Sequence, residues 1–354
     1  NNSYQVVVAD GTTGTPVTGS TILDGFIITA GYAGGGYGGG LDDWNGGGFY
    51  CKGAGSGNDC SPSLSDVTFT GNLGVNDGGA MYNDGRSGGS SSPILTNVTF
   101  NSSNSGVGGA MYNNGYDGGS SSPSLTDVTF KGNSAADGGA MYNNGSIYSR
   151  GVGDGTSNGS SSPVLNYVTF SNNTATYQGG AMYNDGLREN DSGGGSSPTL
   201  TDVTFSNNSA ADGGAIYNAA YNGGDSSPSL TDVTFEGNSA TANGGAMFND
   251  GSYQGNGNPI LTDVTFSDNS ASLHGGAMYN DGACSGDSSP ILNRVTFANN
   301  SALRGGAMYS EAQNANCNSP GYSNPILTNV AFSNNSATQE GGAIYYNFIC
   351  ICIN

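Results

Sequence analysis

Basic side chains are nearly absent from this sequence. Seven of its 354 residues are Lys or Arg, against 27 Asp and Glu, which gives a formal net charge of −20. A nucleic-acid partner needs a basic stripe that displaces counterions from phosphates. Lys52, Arg86, Lys131, Arg150, Arg188, Arg294 and Arg304 are scattered and form no such stripe. The composition therefore argues against nucleic acid, and against an anionic membrane surface, as a direct partner. Histidine occurs once, at His274, and no pair-of-pairs spacing of ligands surrounds it, so zinc is not expected. Long apolar runs are missing too. The most apolar stretch, Phe348-Ile349-Cys350-Ile351-Cys352-Ile353, is strand-length and far below the ~18 residues of a membrane span. The chain starts at Asn1 with no basic, apolar, small-residue leader pattern, so it reads as mature or excised.

What is abundant is glycine, with 63 residues, together with Asn and Ser. Such a composition without a period would suggest disorder, but here the apolar residues return on schedule. Val67-Thr68-Phe69 reappears at Val98, Val128, Val168, Val203, Val233, Val264, Val295 and, altered, Val330, with steps of 31, 30, 40, 35, 30, 31, 31 and 35 residues. A unit recurring at this period is the signature of a repeat architecture. The distance from each Pro to its Val is always five residues, as in Pro62 to Val67, and a second motif, Gly78-Gly79-Ala80-Met81-Tyr82-Asn83, follows each first one. Only the segment after that aromatic varies much: Asp84–Ser92 has nine residues, Asn144–Ser162 nineteen and Asp185–Ser197 thirteen. Insertions entering at one point of the unit belong on one edge of a stack.

Short strands separated by turn residues, in units of about 30 residues, describe coils of a parallel β-solenoid. Crossovers between parallel strands are right-handed in about 98% of cases. The expected fold is thus all-β, a right-handed parallel β-helix of about ten coils with variable loops on one edge. Residues 1–60 read as an N-terminal cap and degenerate first coil, in which Leu23-Asp24-Gly25-Phe26-Ile27-Ile28 aligns with Leu64-Ser65-Asp66-Val67-Thr68-Phe69. Residues 61–347 are the regular repeats, and residues 348–354 a C-terminal apolar strand. Strand alternation places Val67 and Phe69 on one face, with Asp66 and Thr68 on the other. Leu64 breaks that parity, so a bend is expected between it and Val67, and Gly71-Asn72 is expected to be a corner.

Phe-x-x-Asn (Phe69–Asn72, Phe130–Asn133, Phe205–Asn208, Phe235–Asn238) beside Gly-Gly-Ala-Ile (Gly213–Ile216, Gly341–Ile344) resembles the paired motifs of bacterial polymorphic outer membrane protein repeats. The resemblance covers about residues 20–347 and extends to secreted right-handed β-helix repeat proteins in general. It implies an extracellular or cell-surface location and an adhesive role. Most copies read Gly-Gly-Ala-Met here, and the membrane barrel that follows the repeats in those relatives has no counterpart within these residues.

Asn72, Asn133, Asn173, Asn208, Asn238, Asn269, Asn300 and Asn335 form one column, interrupted by Ser103. Amides repeating at strand spacing can hydrogen-bond along the rod, so this column reads as structural. In Gly-Gly-Ala-Met-Tyr the Met and Tyr cannot both face inward in a regular strand. Methionine fills irregular gaps in cores and tyrosine keeps a hydroxyl for water. The aromatic column is therefore expected outside: Tyr82, Tyr112, Tyr142, Tyr183, Tyr217, Phe248, Tyr279, Tyr309 and Tyr345. Contiguous exposed aromatic surface means a ligand, another rod or a cover. Carbohydrate stacking, self-association and burial under the following glycine-rich loops all remain open.

Asp66, Asp127, Asp202, Asp232 and Asp263 form an outward acidic row, with Asn97, Tyr167, Arg294 and Asn329 elsewhere in the column. Calcium could bridge it, since that ion prefers oxygen ligands. Oxygen-rich runs such as Asn249-Asp250-Gly251 and Asn190-Asp191-Ser192 would be further donors, against the ordinary reading of a solvated face. No other cofactor is indicated.

The six cysteines lie outside the constant unit. Cys51 and Cys60 bracket one loop, Cys284 and Cys317 occupy equivalent loops of successive units, and Cys350 and Cys352 share one face of a strand. A Cys284–Cys317 disulfide is expected, which would imply an oxidising compartment. Sequons such as Asn97-Val98-Thr99 follow from the composition, so they permit glycosylation without indicating it.

Two classes of function compete. One is a non-catalytic extracellular structural or adhesive rod, a cell-surface or filament-forming subunit that binds a carbohydrate or host-cell ligand or assembles head to tail through Tyr4–Val8 and Phe348–Ile353. The other is a polysaccharide-binding or polysaccharide-degrading protein, a lyase or hydrolase. That chemistry needs paired carboxylates, or a basic residue beside an acid cluster. Asp42-Asp43-Trp44 is the one compact candidate, and adjacent residues of an extended segment point to opposite sides. No catalytic residues are assigned, and the rod is the favoured reading.

Overall fold

The computed structural model describes residues 4–35, 41–146, 158–187, 194–313 and 319–347. Each full coil contains four short strands, exemplified by Ser63–Ser65, Thr68–Thr70, Leu73–Asp77 and Met81–Asp84. Each strand joins its own parallel sheet, whose neighbouring strands come from successive coils. Three sheets have ten strands; the Met-Tyr sheet has eleven, because Val7–Asp10 precedes the first full coil. Like stacks on like: Leu64 faces Leu95, Phe69 faces Phe100, and Met81 faces Met111. The fold is the expected parallel β-solenoid.

Single residues in the left-handed conformation turn the chain at the corners. The first corner is the column of Asp66, Asn97, Asp127, Tyr167, Asp202, Asp232, Asp263, Arg294 and Asn329, with φ between 52° and 56°. The second lies two residues after each Phe, as at Gly71, Asn172 and Asn207 (φ 60°, 55° and 54°). The third is the first glycine of each Gly-Gly pair. Asn, Asp and Gly tolerate this region best, which explains the composition of the corner columns. The expected bend after Leu64 is therefore real and lies at Asp66. Alternation through the corner does not hold, however. The strand begins at Thr68, and Val67 is a corner residue that still points into the core.

Leu, Val, Phe, Ala and Met columns fill the interior. The rings of Phe69 through Phe332 stack at 4.7–5.1 Å with interplanar angles of 4–5°. Successive strands of this sheet thus scarcely rotate, as in other sheets held flat by side-chain ladders. The Phe-x-x-Asn column forms the expected amide ladder. In it Asn133 Nδ2 donates to Asn173 Oδ1 at 3.0 Å and to the Phe100 carbonyl at 3.1 Å.

A second amide ladder runs through the Met-Tyr sheet, where Asn83, Asn113, Asn143, Asn184, Asn218, Asn249 and Asn280 are linked Nδ2 to Oδ1 at 2.8 Å. A third column, of buried serines interrupted by Gly257, returns the chain from the variable loops. Ser121 Oγ, for example, donates to the carbonyls of Asn83 and Ser91.

Candidate functional site

The aromatic column is the most extended candidate site, and the structure corrects its expected exposure. In Met81–Asp84, Met81 and Asn83 face the core while Tyr82 and Asp84 face the other way, yet all four are buried. Seven of the nine column members are 8% exposed or less, and Tyr142 and Tyr345 are half-buried. Two features provide the cover. The preceding strand ends beside the column, with Val107 packed against Tyr82 and Tyr112. The loop after the aromatic folds back, which brings Tyr221 against Tyr183, Tyr217 and their neighbours. From Tyr82 to Tyr345 the rings follow one another at 4.6–5.3 Å. The second face of this sheet is therefore a second, aromatic core.

The phenol groups meet the residue two places after the aromatic in the next coil. Tyr50, Tyr142 and Tyr217 donate to Asp84, Asp185 and Asp250 at 2.8–2.9 Å, and Tyr279 donates to Glu311. Asn114 and Asn144 donate instead to the hydroxyls of Tyr82 and Tyr112. Burial pushes Tyr82, Tyr112, Tyr142, Tyr183, Tyr217 and Tyr279 well above the ordinary phenol range, and Tyr309 up to about 12.

On the other flank the residue before Gly-Gly forms its own row. Asn243 donates to Asp212 at 3.0 Å, and His274 Nδ1 lies 3.0 Å from Asn243 Oδ1. The His274 ring packs 4.5 Å from that of Tyr309, and Arg304 pairs with Glu340 at 3.2 Å. Burial lowers His274, and Arg304 lowers it further.

The remaining candidates resolve separately. The acidic row is the first corner column, selected for its left-handed backbone, and Arg294 makes two 2.6 Å hydrogen bonds to Asp263 within it. The run Asn249-Asp250 is buried strand and not an oxygen-rich loop, because Asn249 belongs to the second ladder and Asp250 accepts from Tyr217. Asn190-Asp191-Ser192 lies outside the described residues. Among the described residues no group of three or more His, Cys, Asp or Glu is placed to hold a metal ion.

Leu41–Trp44 is a turn of 3-10 helix, not an extended segment. Its Trp44 lies so close that a Cβ on Gly35 would come within 2.1 Å of the indole. Cys51 and Cys60 form a disulfide with a Cα–Cα distance of 5.6 Å. Cys284 is a disulfide cysteine, while Cys317, Cys350 and Cys352 lie outside the described residues.

Fold and ladders together define a repeat β-solenoid protein. The model of the Chlamydia polymorphic membrane protein repeat matches residues 167–185, 202–219, 232–246 and 329–347, so these segments are similar to that repeat. The two fullest matched segments run from the left-handed corner, Tyr167 or Asn329, through Phe-x-x-Asn to the end of the Met-Tyr or Ile-Tyr strand. No curated protein and no solved structure matches the chain. No helix among the described residues is long and apolar enough to cross a membrane.

Proposed function

We propose that this chain is a non-catalytic structural or adhesive rod, carried at a cell surface or outside the cell. One observation supports this above others: the residues that recur in every unit are consumed by stacking, as core, ladder or corner. Length varies most in the loops that leave after the Met-Tyr strand. Those loops rejoin the coil at a column of parallel bridges such as Ser90 to Ser120 and Ser120 to Ser160. In this reading a carbohydrate or cell-surface ligand is met by the loops and not by the aromatic column. The test coats beads with the purified chain and measures their retention on cells and on immobilised glycans. Retention equal to that of uncoated beads on both would sink the adhesive part of the reading.

End-to-end assembly belongs to the same proposal. Leu327 of the last described coil is 37% exposed, where Leu292 one coil inside is fully buried, and Val8 is open at the other end, where its partner Tyr50 one coil inside is buried. The column that stacks each coil on the next would continue from one copy of this 354-residue chain into another. Light scattering should show concentration-dependent growth that is lost on deleting residues 348–354. A monomer at all concentrations would overturn it.

A polysaccharide lyase or hydrolase is the second reading. The place that favours it is His274, Arg304 and Glu340 beside Tyr309, but Arg304 is held by Glu340 and His274 by Asn243. Release of reducing ends or unsaturated sugars from acidic polysaccharides by the purified chain would favour it over the rod.

A further inference from the structure

Two rows of carboxyl groups enclose the buried tyrosine column. Asp77, Asp137 and Asp212 precede Gly-Gly on one flank and are half-buried. Asp84, Asp185, Asp250 and Asp281 follow the aromatic on the other flank, the first three buried and Asp281 nearly so. Among the described residues, cations approach only part of this array. Arg86 faces Asp77 and lies 3.3 Å from Asp84, and Lys52 pairs in register with Asp84 on the adjoining strand.

Among the described residues the other carboxylates face neutral donors and one another. Asp137 accepts from the Gln178 backbone N–H, and Asp212 from the Asn243 side chain. Asp185 accepts from Tyr142 and from the Leu187 amide, with Asp137 nearby. Asp250 accepts from Tyr217 and Ser252. Asp281 accepts from the Ala283 amide and stands between Asp250 and Glu311. His274 and Arg304 sit on the Asp212 flank, but Asn243 separates His274 from Asp212 and Arg304 is turned to Glu340.

We propose that this enclosed array makes the rod proton-locked: it retains protons along the tyrosine column when folded, is most stable in mildly acidic surroundings, and loosens along that column as they become alkaline. Uncompensated carboxylates in a low-dielectric strip are costly as charges, most of all where Asp250, Asp281 and Glu311 stand on successive strands. Burial accordingly pushes Asp77 and Asp281 up to about 7 and Asp185 up to about 6, and it raises Asp137, Asp212 and Asp250. The unfolded chain releases the same protons near pH 3.9. Between these limits the folded rod binds more protons than the unfolded chain. The stabilisation is therefore complete below about pH 4 and is lost as the pH rises through about 6 to 7.

The experiment follows the unfolding temperature of the full chain by circular dichroism from about pH 8 down to about pH 5.5, at constant ionic strength. Three proteins are compared: the natural sequence, Asp77→Asn/Asp185→Asn/Asp281→Asn, and the control Asp66→Asn/Asp202→Asn/Asp232→Asn. The control removes the same charge from the exposed corner, so it reports general charge repulsion alone. The natural chain should gain several degrees on acidification. The buried triple variant should already melt higher at the alkaline end and show a flattened profile, while the control keeps the natural slope. A natural profile that is flat or falls toward acid, or a control that flattens it as much as the buried triple, would overturn the proposal. So would a buried triple variant that fails to fold, since neutral isosteres are the favoured occupants here.

Discussion

Asn238 shows how much one side chain does in this rod. Its amide donates to Asn269 Oδ1 and to the Phe205 carbonyl, while its own Oδ1 accepts from both the backbone and the side-chain nitrogen of Asn208. Asn238→Ala should cost about 3 kcal/mol, because the two buried Asn208 donors on one neighbouring coil lose their acceptor and Asn269 Oδ1 on the other loses a donor. It should lower the thermal midpoint by several degrees. Asn238→Ser should cost less, since Ser103 already occupies this column. Equal midpoints for natural and Ala proteins would contradict the ladder.

At the first corner, Tyr167 carries a bulky side chain at φ 55° and is 61% exposed. Tyr167→Asn should stabilise by about 1 kcal/mol in denaturant unfolding, because Asn tolerates this backbone at lower cost. A destabilised variant would show that the ring has a packing role. The first amide ladder was legible in the sequence. The second was equally legible in principle: once Met81 points inward, alternation sends Asn83 inward too. The exposure of the tyrosines was not legible, because their cover comes from Val107 and Tyr221, at positions that vary between units.

The Met-Tyr strand depends on the two glycines before it for different reasons. Gly213 has φ +61°, and an added Cβ would lie 2.3 Å from the Ile216 carbonyl oxygen. Gly214 is excluded by space alone, with the Gly245 oxygen at 2.1 Å and the Ser239 oxygen at 2.5 Å. Either glycine changed to Val should open one coil and its neighbours, seen as new cleavage there in limited proteolysis and a lower midpoint. Gly195, with nothing within 4 Å, should accept Ala with the midpoint unchanged. An intact coil in the Gly214 variant would refute the close stacking of successive strands.

Of the four strands per coil, those carrying Leu, Phe and Met were visible through their apolar residues. The fourth strand shrinks to two residues in places, such as Ser209–Ala210 and Ser239–Ala240, and alternation has no meaning over so short a run. The acidic column misled for a related reason. Asp and Asn at a left-handed corner look like an outward row of ligands, although Gly25 in the same column of the first coil already signalled a backbone constraint (φ +71°).

At the scale of the molecule, about ten coils at the strand spacing of ~4.8 Å make a rod on the order of 50 Å long. Its cross-section holds two cores: the apolar one enclosed by four sheets, and the tyrosine column under the strand ends and loops. The charge follows that division, since carboxylates stand both at the exposed corner and beside the buried phenols. A rod that places its repeated aromatics inside leaves recognition to its loops and ends, where the proposed function puts it.

Ultraviolet titration of the phenols, read alongside circular dichroism on the full chain, tests the two-core arrangement most directly because it samples all 20 tyrosines at once. At least seven of them, Tyr82, Tyr112, Tyr142, Tyr183, Tyr217, Tyr279 and Tyr309, are shifted upward by burial. They should stay un-ionised through the range near pH 10 where free tyrosine titrates, and ionise only as the β signal is lost. All 20 tyrosines ionising in a single step near pH 10, with the β signal intact, would contradict it and return the aromatic column to the surface.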